Sequence, residues 1–306
     1  MRGIGAALAL VAAGLAAGLA LSGGSATDPP PPRGFPGVRP SFLDVGRGRG
    51  GRVDGMPAAM VRDERRWLAR AQPLGPAAPA WARRMQARSL LVLRALTDPS
   101  SGAAVAGPRA GWGYVWPRDA AAVAIAFAQA GYRAEARRVV SFLRGVDLDA
   151  AARFYSGGGP VPGRDAQGDA AGWVAAAEQA VGVARQRHSA AGESAALRRA
   201  SRPGVALVRP VEWRDRADYQ EKEDGAYLAN AIAAGAASHR TREAFASPRG
   251  LVRRADDSGS GLDSAAAWAV RPFARRGLFG PARQTLLRLA AKSGHFGLLP
   301  SEDWDG

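Results

Sequence analysis

The chain of 306 residues contains no cysteine. Disulfides, thiolate metal sites and a cysteine nucleophile are therefore excluded, and the redox compartment stays open. Lysine is almost absent: Lys222 and Lys292 are the only two, so nearly all of the net charge of +15 is arginine. Aromatics make up only 7 % although hydrophobic residues reach 47 %. Alanine and glycine carry much of the difference, which favours closely packed helices. β-Branched alternation punctuated by turns is scarce, so strands should contribute little. What remains is an alanine- and arginine-rich chain. It is long enough for one large domain or two small ones, with a sizeable core.

A strong positive balance raises nucleic acid as a partner, because arginine neutralises phosphates. Here the arginines are spread along amphipathic helices and do not gather in one block, so no nucleic-acid partner is expected. His188, His239 and His295 stand apart without metal-ligand spacing. No GxSxG elbow or phosphate-binding P-loop occurs. Asp165 and Asp169 lie in a glycine-rich loop. Such a pair more often marks a turn than a calcium site.

The N-terminus has its own character. Arg2 precedes the uncharged run GIGAALALVAAGLAAGLALSGG. About 20 apolar residues suit either a signal peptide or a single membrane anchor. Gly23-Gly-Ser-Ala26 supplies small residues for cleavage. Residues 1–26 are therefore expected to direct the chain to the cell envelope or beyond it, with membrane attachment where they stay uncleaved. Residues 27–57 read as a linker, with four prolines at 29–32 and then GRGRGGRVDG. Gly46, Gly48 and Gly51 match GxGxxG, but Gly55 and Pro57 interrupt what should be a helix, so a dinucleotide site is rejected. Residues 58–306 form the remaining domain.

That domain reads as helical, with two helix types in alternation. Residues 118–130 are apolar on nearly all sides, and Gly131 is a natural stop. Residues 133–144 are amphipathic: Val139, Val140, Phe142 and Leu143 share a face, with Arg133, Arg137 and Arg144 elsewhere. The theme recurs in DAAGWVAAAEQAVG before GESAALRRA, and in LDSAAAWAVRPF before PARQTLLRLAAK. DGAYLANAIAAGAA is apolar again, with a short or missing partner. A helix apolar all round must be enclosed, whereas an amphipathic one can form an outer wall. The alternation predicts inner helices at 118–130, 170–183, 224–237 and 263–274, with outer walls at 133–144 and 280–292. About nine helices are expected in all.

One stretch stands out chemically. GWGYVWPRDAAAVAIAFAQAGY crowds Trp112, Tyr114 and Trp116 ahead of Pro117-Arg118-Asp119. Proline disfavours helix at the preceding residue and suits the first helical turn. The helix dipole favours an acid at Asp119. The segment thus delivers aromatics and an Arg-Asp pair to the mouth of an inner helix. Aromatic faces can stack on the C–H faces of sugars, and ionised groups make strong, oriented hydrogen bonds to hydroxyls.

Extended to 33 residues, GWGYVWPRDAAAVAIAFAQAGYRAEARRVVSFL resembles the first substrate-binding motif of the glucoamylase-like glycoside hydrolases, family 15. The resemblance implies an all-α fold, an (α/α)6 toroid, incomplete at its C-terminal side. It implies that Arg118 and Asp119 hold hydroxyls of the terminal sugar, with Trp112, Tyr114 and Trp116 as the aromatic contacts. The family's general acid lies in a Trp-Glu dipeptide, and in ADYQEKEDGAY the corresponding pair is Gln220-Glu221. GHFGLLPSEDWDG is similar to the Leu-Pro-Glu motif that carries the general base, which implies Glu302 in that role and adds Trp304 to the substrate-binding set.

Inverting hydrolysis needs one protonated carboxyl to protonate the leaving oxygen and one ionised carboxyl to activate water. The pair stands about 6.5–9.5 Å apart to admit that water. No cofactor and no metal is required. The implied activity is exo-acting hydrolysis of α-glucosidic bonds in oligo- or polysaccharides. Two other readings remain open: a non-catalytic carbohydrate-binding or cell-envelope scaffold, and a trehalase-type disaccharide hydrolase. Glu221 and Glu302 stand only 81 residues apart, with room for fewer helices than a full toroid uses, so the sequence reads as a shortened relative.

Overall fold

Pro117 sets the register of the central helix. In the computed structural model, Trp116 before it is extended (φ −90°, ψ 131°), as a residue ahead of proline should be. The helix α3 then runs Pro117–Gln129, and Gly131 at φ 88° turns the chain back. Every residue of α3 from Ala120 to Phe127 is buried. The structure describes residues 58–107, 111–164, 166–167, 169–182, 227–233, 239–255, 257–270, 273, 278–292 and 301–302.

Among the described residues, α1 (Ala58–Leu68) and α2 (Ala80–Ala95) precede α3. After it come α4 (Arg133–Arg144), α5 (Ala170–Val181), α6 (Leu228–Ala233) and α7 (His239–Phe245). A 3-10 helix (Ser264–Ala269) and α8 (Phe279–Lys292) follow. α4 returns antiparallel along α3 and buries one face through Ala136, Val139, Val140 and Leu143, while Arg133, Arg137, Arg138 and Arg144 are exposed. α3 also packs against α5, α5 against α6, and α6 against the 3-10 helix, which α8 covers. Enclosed and wall helices thus succeed one another in an all-α fold, as the apolar/amphipathic alternation predicts. The wall at 133–144 has the predicted bounds. The enclosed helix predicted at 118–130 runs Pro117–Gln129, and the one at 170–183 runs Ala170–Val181, closed by Gly182 in the left-handed region. Within 224–237 the described part is α6. The segment GESAALRRA lies outside the described residues.

Two details differ from the sequence reading. The helix predicted over 263–274 is a 3-10 helix of six residues, Ser264–Ala269. Val270 is already extended (φ −127°, ψ 162°), and the proline at 272 would clash with the Trp268 carbonyl in a continued α-helix. A two-residue antiparallel hairpin also forms, β1 (Ala246–Ser247) with β2 (Gly250–Leu251). Its strands are too short for periodicity to reveal.

Aromatic packing ties α1 to the central hairpin. Trp67 stacks on Tyr132 with ring centres 4.0 Å apart and meets Phe127 edge-on at 6.2 Å. The buried Tyr132 hydroxyl donates to the Trp67 carbonyl at 2.8 Å, so the phenol is satisfied inside the core. Among the described residues no helix is long and apolar enough to cross a membrane. Residues 1–26 and the linker 27–57 lie outside the described residues.

Candidate functional site

The aromatic segment ahead of α3 is pinned from two sides. Val115 and Phe154 exchange backbone hydrogen bonds at 2.8 and 2.9 Å. On the other side Ala106 N–H donates to the Tyr114 carbonyl and Gly107 N–H to the Trp112 carbonyl. The turn and bend at 112–114 and the bridge at Val115 bring Trp112, Tyr114 and Trp116 together. They form a small cluster of their own with Ala106 and Val161, and Tyr155 packs against it. Ring centres are 5.5 Å apart for Trp112–Trp116 and 6.2 Å for Tyr114–Trp116. Tyr155 meets Tyr114 edge-on at 5.7 Å.

Arg153 completes the cluster from inside. It is fully buried, and its guanidinium carbon lies 4.7 Å from the Tyr114 ring centre and 5.6 Å from that of Trp116. Desolvation strengthens such cation–π contacts. Tyr114 itself has no exposed surface. Its ring lies behind the cluster, while the half-buried Trp112 carries more of the reachable surface.

Arg118 and Asp119 stand in the first turn of α3, both half-buried. Arg118 Nη1 donates to Asp169 Oδ2 at 2.6 Å. Asp169 lies at the start of α5, 51 residues further along the chain. The two enclosed helices therefore begin at the same end of the fold. Sequence reading took Asp169 for a turn residue, and it does lie in the turn ahead of α5; it is also buried and ion-paired. The signal that could have found it is positional: an aspartate directly ahead of an apolar helix, as Asp119 is within the first turn of α3. Arg153 has no comparable signal.

Glu302 is held by other elements of the fold. Its backbone N–H donates to the Leu262 carbonyl at 2.9 Å, which ties it to the start of the 3-10 helix. Its carboxylate accepts from Lys292 Nζ at 3.1 Å and from the Arg249 guanidinium. Burial pushes the Glu302 carboxyl up, but the hydrogen bonds from Lys292, Arg249 and the Leu262 N–H outweigh it. The net effect holds it below the usual carboxylate range. Glu302 is thus kept ionised, as an acceptor of protons must be, while both cations compete for its lone pairs. Glu221 and Trp304 lie outside the described residues. The structure thus brings Trp112, Tyr114, Trp116, Arg118 and Asp119 together at the head of α3. The contacts of Glu302 are with Arg249, Lys292 and Leu262.

Among the described residues no group of three or more histidine, aspartate or glutamate side chains is placed to hold a metal ion.

Fold and site define an all-α protein of successive inner and outer helices, with aromatic and ionic groups gathered at the head of an enclosed helix. Residues 81–150 match the family model described as glycosyl hydrolases family 15. The chain is thus similar to the glucoamylase-like glycoside hydrolases, and its all-α fold is of their α/α-toroid type. The matched region runs from α2 through the aromatic segment and Arg118-Asp119 to just beyond α4, and includes neither Glu221 nor Glu302. No curated protein and no solved structure matches the chain.

Proposed function

We propose that this glycoside hydrolase-like protein is an exo-acting, inverting hydrolase of α-glucosidic bonds in oligo- or polysaccharides. The observation that carries the reading is the pairing, at the head of α3, of an aromatic cluster with the half-buried Arg118 and Asp119. Trp112 and the rim of Trp116 stack on the terminal sugar, and Tyr114 supports them from behind. Arg118 donates to ring hydroxyls, and Asp119 accepts from them. Glu221 gives its proton to the glycosidic oxygen as the bond from the anomeric carbon breaks. Water attacks that carbon from the opposite face and loses a proton to Glu302, which yields the inverted anomer.

Sugar binding is testable apart from turnover. Asp119→Asn replaces an anionic acceptor by a neutral amide of the same shape. Losing a hydrogen bond to a charged group costs about 1.5–3 kcal/mol, a loss of affinity of about 10- to 150-fold. Titration calorimetry with maltotriose should record that loss in a variant whose circular dichroism matches wild type. Unchanged affinity would falsify the assignment of the sugar site.

One observation favours a second reading, a carbohydrate-binding or cell-envelope scaffold without turnover. Glu302 is paired through one oxygen, Oε1, with both Arg249 and Lys292, which lowers its basicity toward a proton from water. A trehalase-type specificity differs only in substrate, and comparing trehalose with maltooligosaccharides decides it. The same reading puts the protein outside the cytoplasm, exported or anchored by residues 1–26. Recovery of the intact chain from the cytosol after cell fractionation overturns that part.

A further inference from the structure

We infer that Asp169 is the positioning residue of the sugar site: its buried carboxylate, turned away from its own helix, aims the Arg118 guanidinium. The inference rests on the reading of Arg118 as a sugar contact. An aspartate directly ahead of a helix normally accepts from the N–H of the second or third helical residue, because those donors have no partner within the helix. Asp263 does this at the start of the 3-10 helix, accepting from Ala265 N–H at 2.7 Å. Asp169 directly precedes α5, but its backbone is already helical (φ −83°, ψ −14°) where that of Asp263 is extended (φ −125°, ψ 135°), and it makes no side-chain cap. Its Oδ2 is turned instead to Arg118 Nη1, 2.6 Å away on another helix. Local propensity and observed partner disagree here, and such disagreements concentrate at functional sites.

The geometry gives the pair a use. The Asp169 side chain is 1 % exposed and that of Arg118 16 %, so the anchor is inside and the anchored group reaches the edge. A guanidinium carries its donors in a rigid planar fork, and fixing one of them fixes the direction of the rest. Arginine has many rotamers. Ion pairing has removed that freedom before a sugar arrives, so binding need not remove it. Asp119, one residue on in the same turn, then presents its acceptor beside donors already aimed.

The test uses the full-length protein, with maltotriose as probe. Asp169→Asn keeps size and shape but removes the charge that orients Arg118. Its affinity for maltotriose should fall about tenfold, the effect of one misaimed charge-assisted hydrogen bond. Measurement is made well below the melting temperature of each variant, so that loss of stability alone does not move the dissociation constant. Adding Asp169→Asn to Arg118→Ala should weaken binding no further, because the anchor acts only through the arginine. Additive losses, or wild-type affinity in folded Asp169→Asn, overturn the inference. Where Asp169→Asn does not fold, Arg118→Lys replaces it: this variant keeps the charge and loses the fork. It should show a similar loss, and wild-type affinity again overturns the inference. Asp119→Asn, run beside these, separates the two levels. Weak binding there with normal binding in Asp169→Asn sinks the positioning role alone. Normal binding in both sinks the sugar site with it.

Discussion

Glu302→Gln and Glu221→Gln are each expected to remove most hydrolysis of maltooligosaccharides, by about 10²–10⁴-fold, the usual contribution of a general base or acid. The routes differ. An amide at 302 cannot take a proton from the attacking water. An amide at 221 cannot give one to the departing oxygen. An α-glucoside whose leaving group departs without protonation should therefore partly restore Glu221→Gln and leave Glu302→Gln inactive. Polarimetry or NMR of the first-formed product should show the inverted anomer. Retention would mean a covalent nucleophile and a different pair of carboxylates. No hydrolysis by wild type, alongside measurable maltotriose binding, would favour the scaffold.

Glu302 also links this result to pH. Its carboxyl is held below its ordinary value of 4.5. A depressed carboxylate contributes stability above its unfolded-state value and loses it as pH falls through the folded one. Glu302→Gln should therefore melt below wild type at neutral pH. The gap should close as pH falls below about 4.5. A gap that persists in acid would mean that glutamine disturbs packing and that the Arg249–Glu302–Lys292 cluster is not its source.

Gly102→Ala should be among the most destabilising single-methyl additions in the fold. Gly102 has φ +80°, and a Cβ there would lie 2.2 Å from the Arg138 carbonyl oxygen and 2.8 Å from the Val139 nitrogen. Both atoms belong to the backbone of α4, so relief requires moving the helix. The turn cannot easily back away either. Gly102 N–H donates to the Asp98 carbonyl at 2.9 Å, and Asp98 N–H to the Ala103 carbonyl at 2.9 Å. The left-handed conformation costs an alanine about 1–2 kcal/mol, and forced overpacking about 1–3 kcal/mol more, so about 2–5 kcal/mol is expected. Gly163 provides the control: it has φ +89° and nothing within 4 Å of a built Cβ. Gly163→Ala should lose only the conformational part, about 1–2 kcal/mol. Urea denaturation of both variants measures the difference. Equal losses would assign the need for glycine at 102 to backbone freedom alone and remove the contact with α4 from the account.

The central hairpin was legible without coordinates because its signals are local. Pro117 at the head of α3, the unbroken apolar run behind it and Gly131 at its end each act over a few residues, and so does the one-sided apolar pattern of Arg133–Arg144. The gathering of Trp112, Tyr114 and Trp116 ahead of Arg118 is likewise a matter of closeness along one short segment. Two things had no such signature. Six residues of 3-10 helix at Ser264–Ala269 and the hairpin at 246–251 are too short to set up a periodicity. The partners of the ionic groups are far off in the chain: Asp169 is 51 residues from Arg118, and Arg249 is 53 from Glu302. Arg153 lies under Tyr114 and Trp116 only because Phe154 pairs with Val115. Sequence by itself determined that α3 is enclosed, that α4 is a wall and which residues crowd the head of α3. Tertiary structure alone decided that Asp169 turns from its own helix to Arg118 and that two cations clamp Glu302. The physical reason is that charge pairing depends on distance in space, and distance in space is set by how the helices pack.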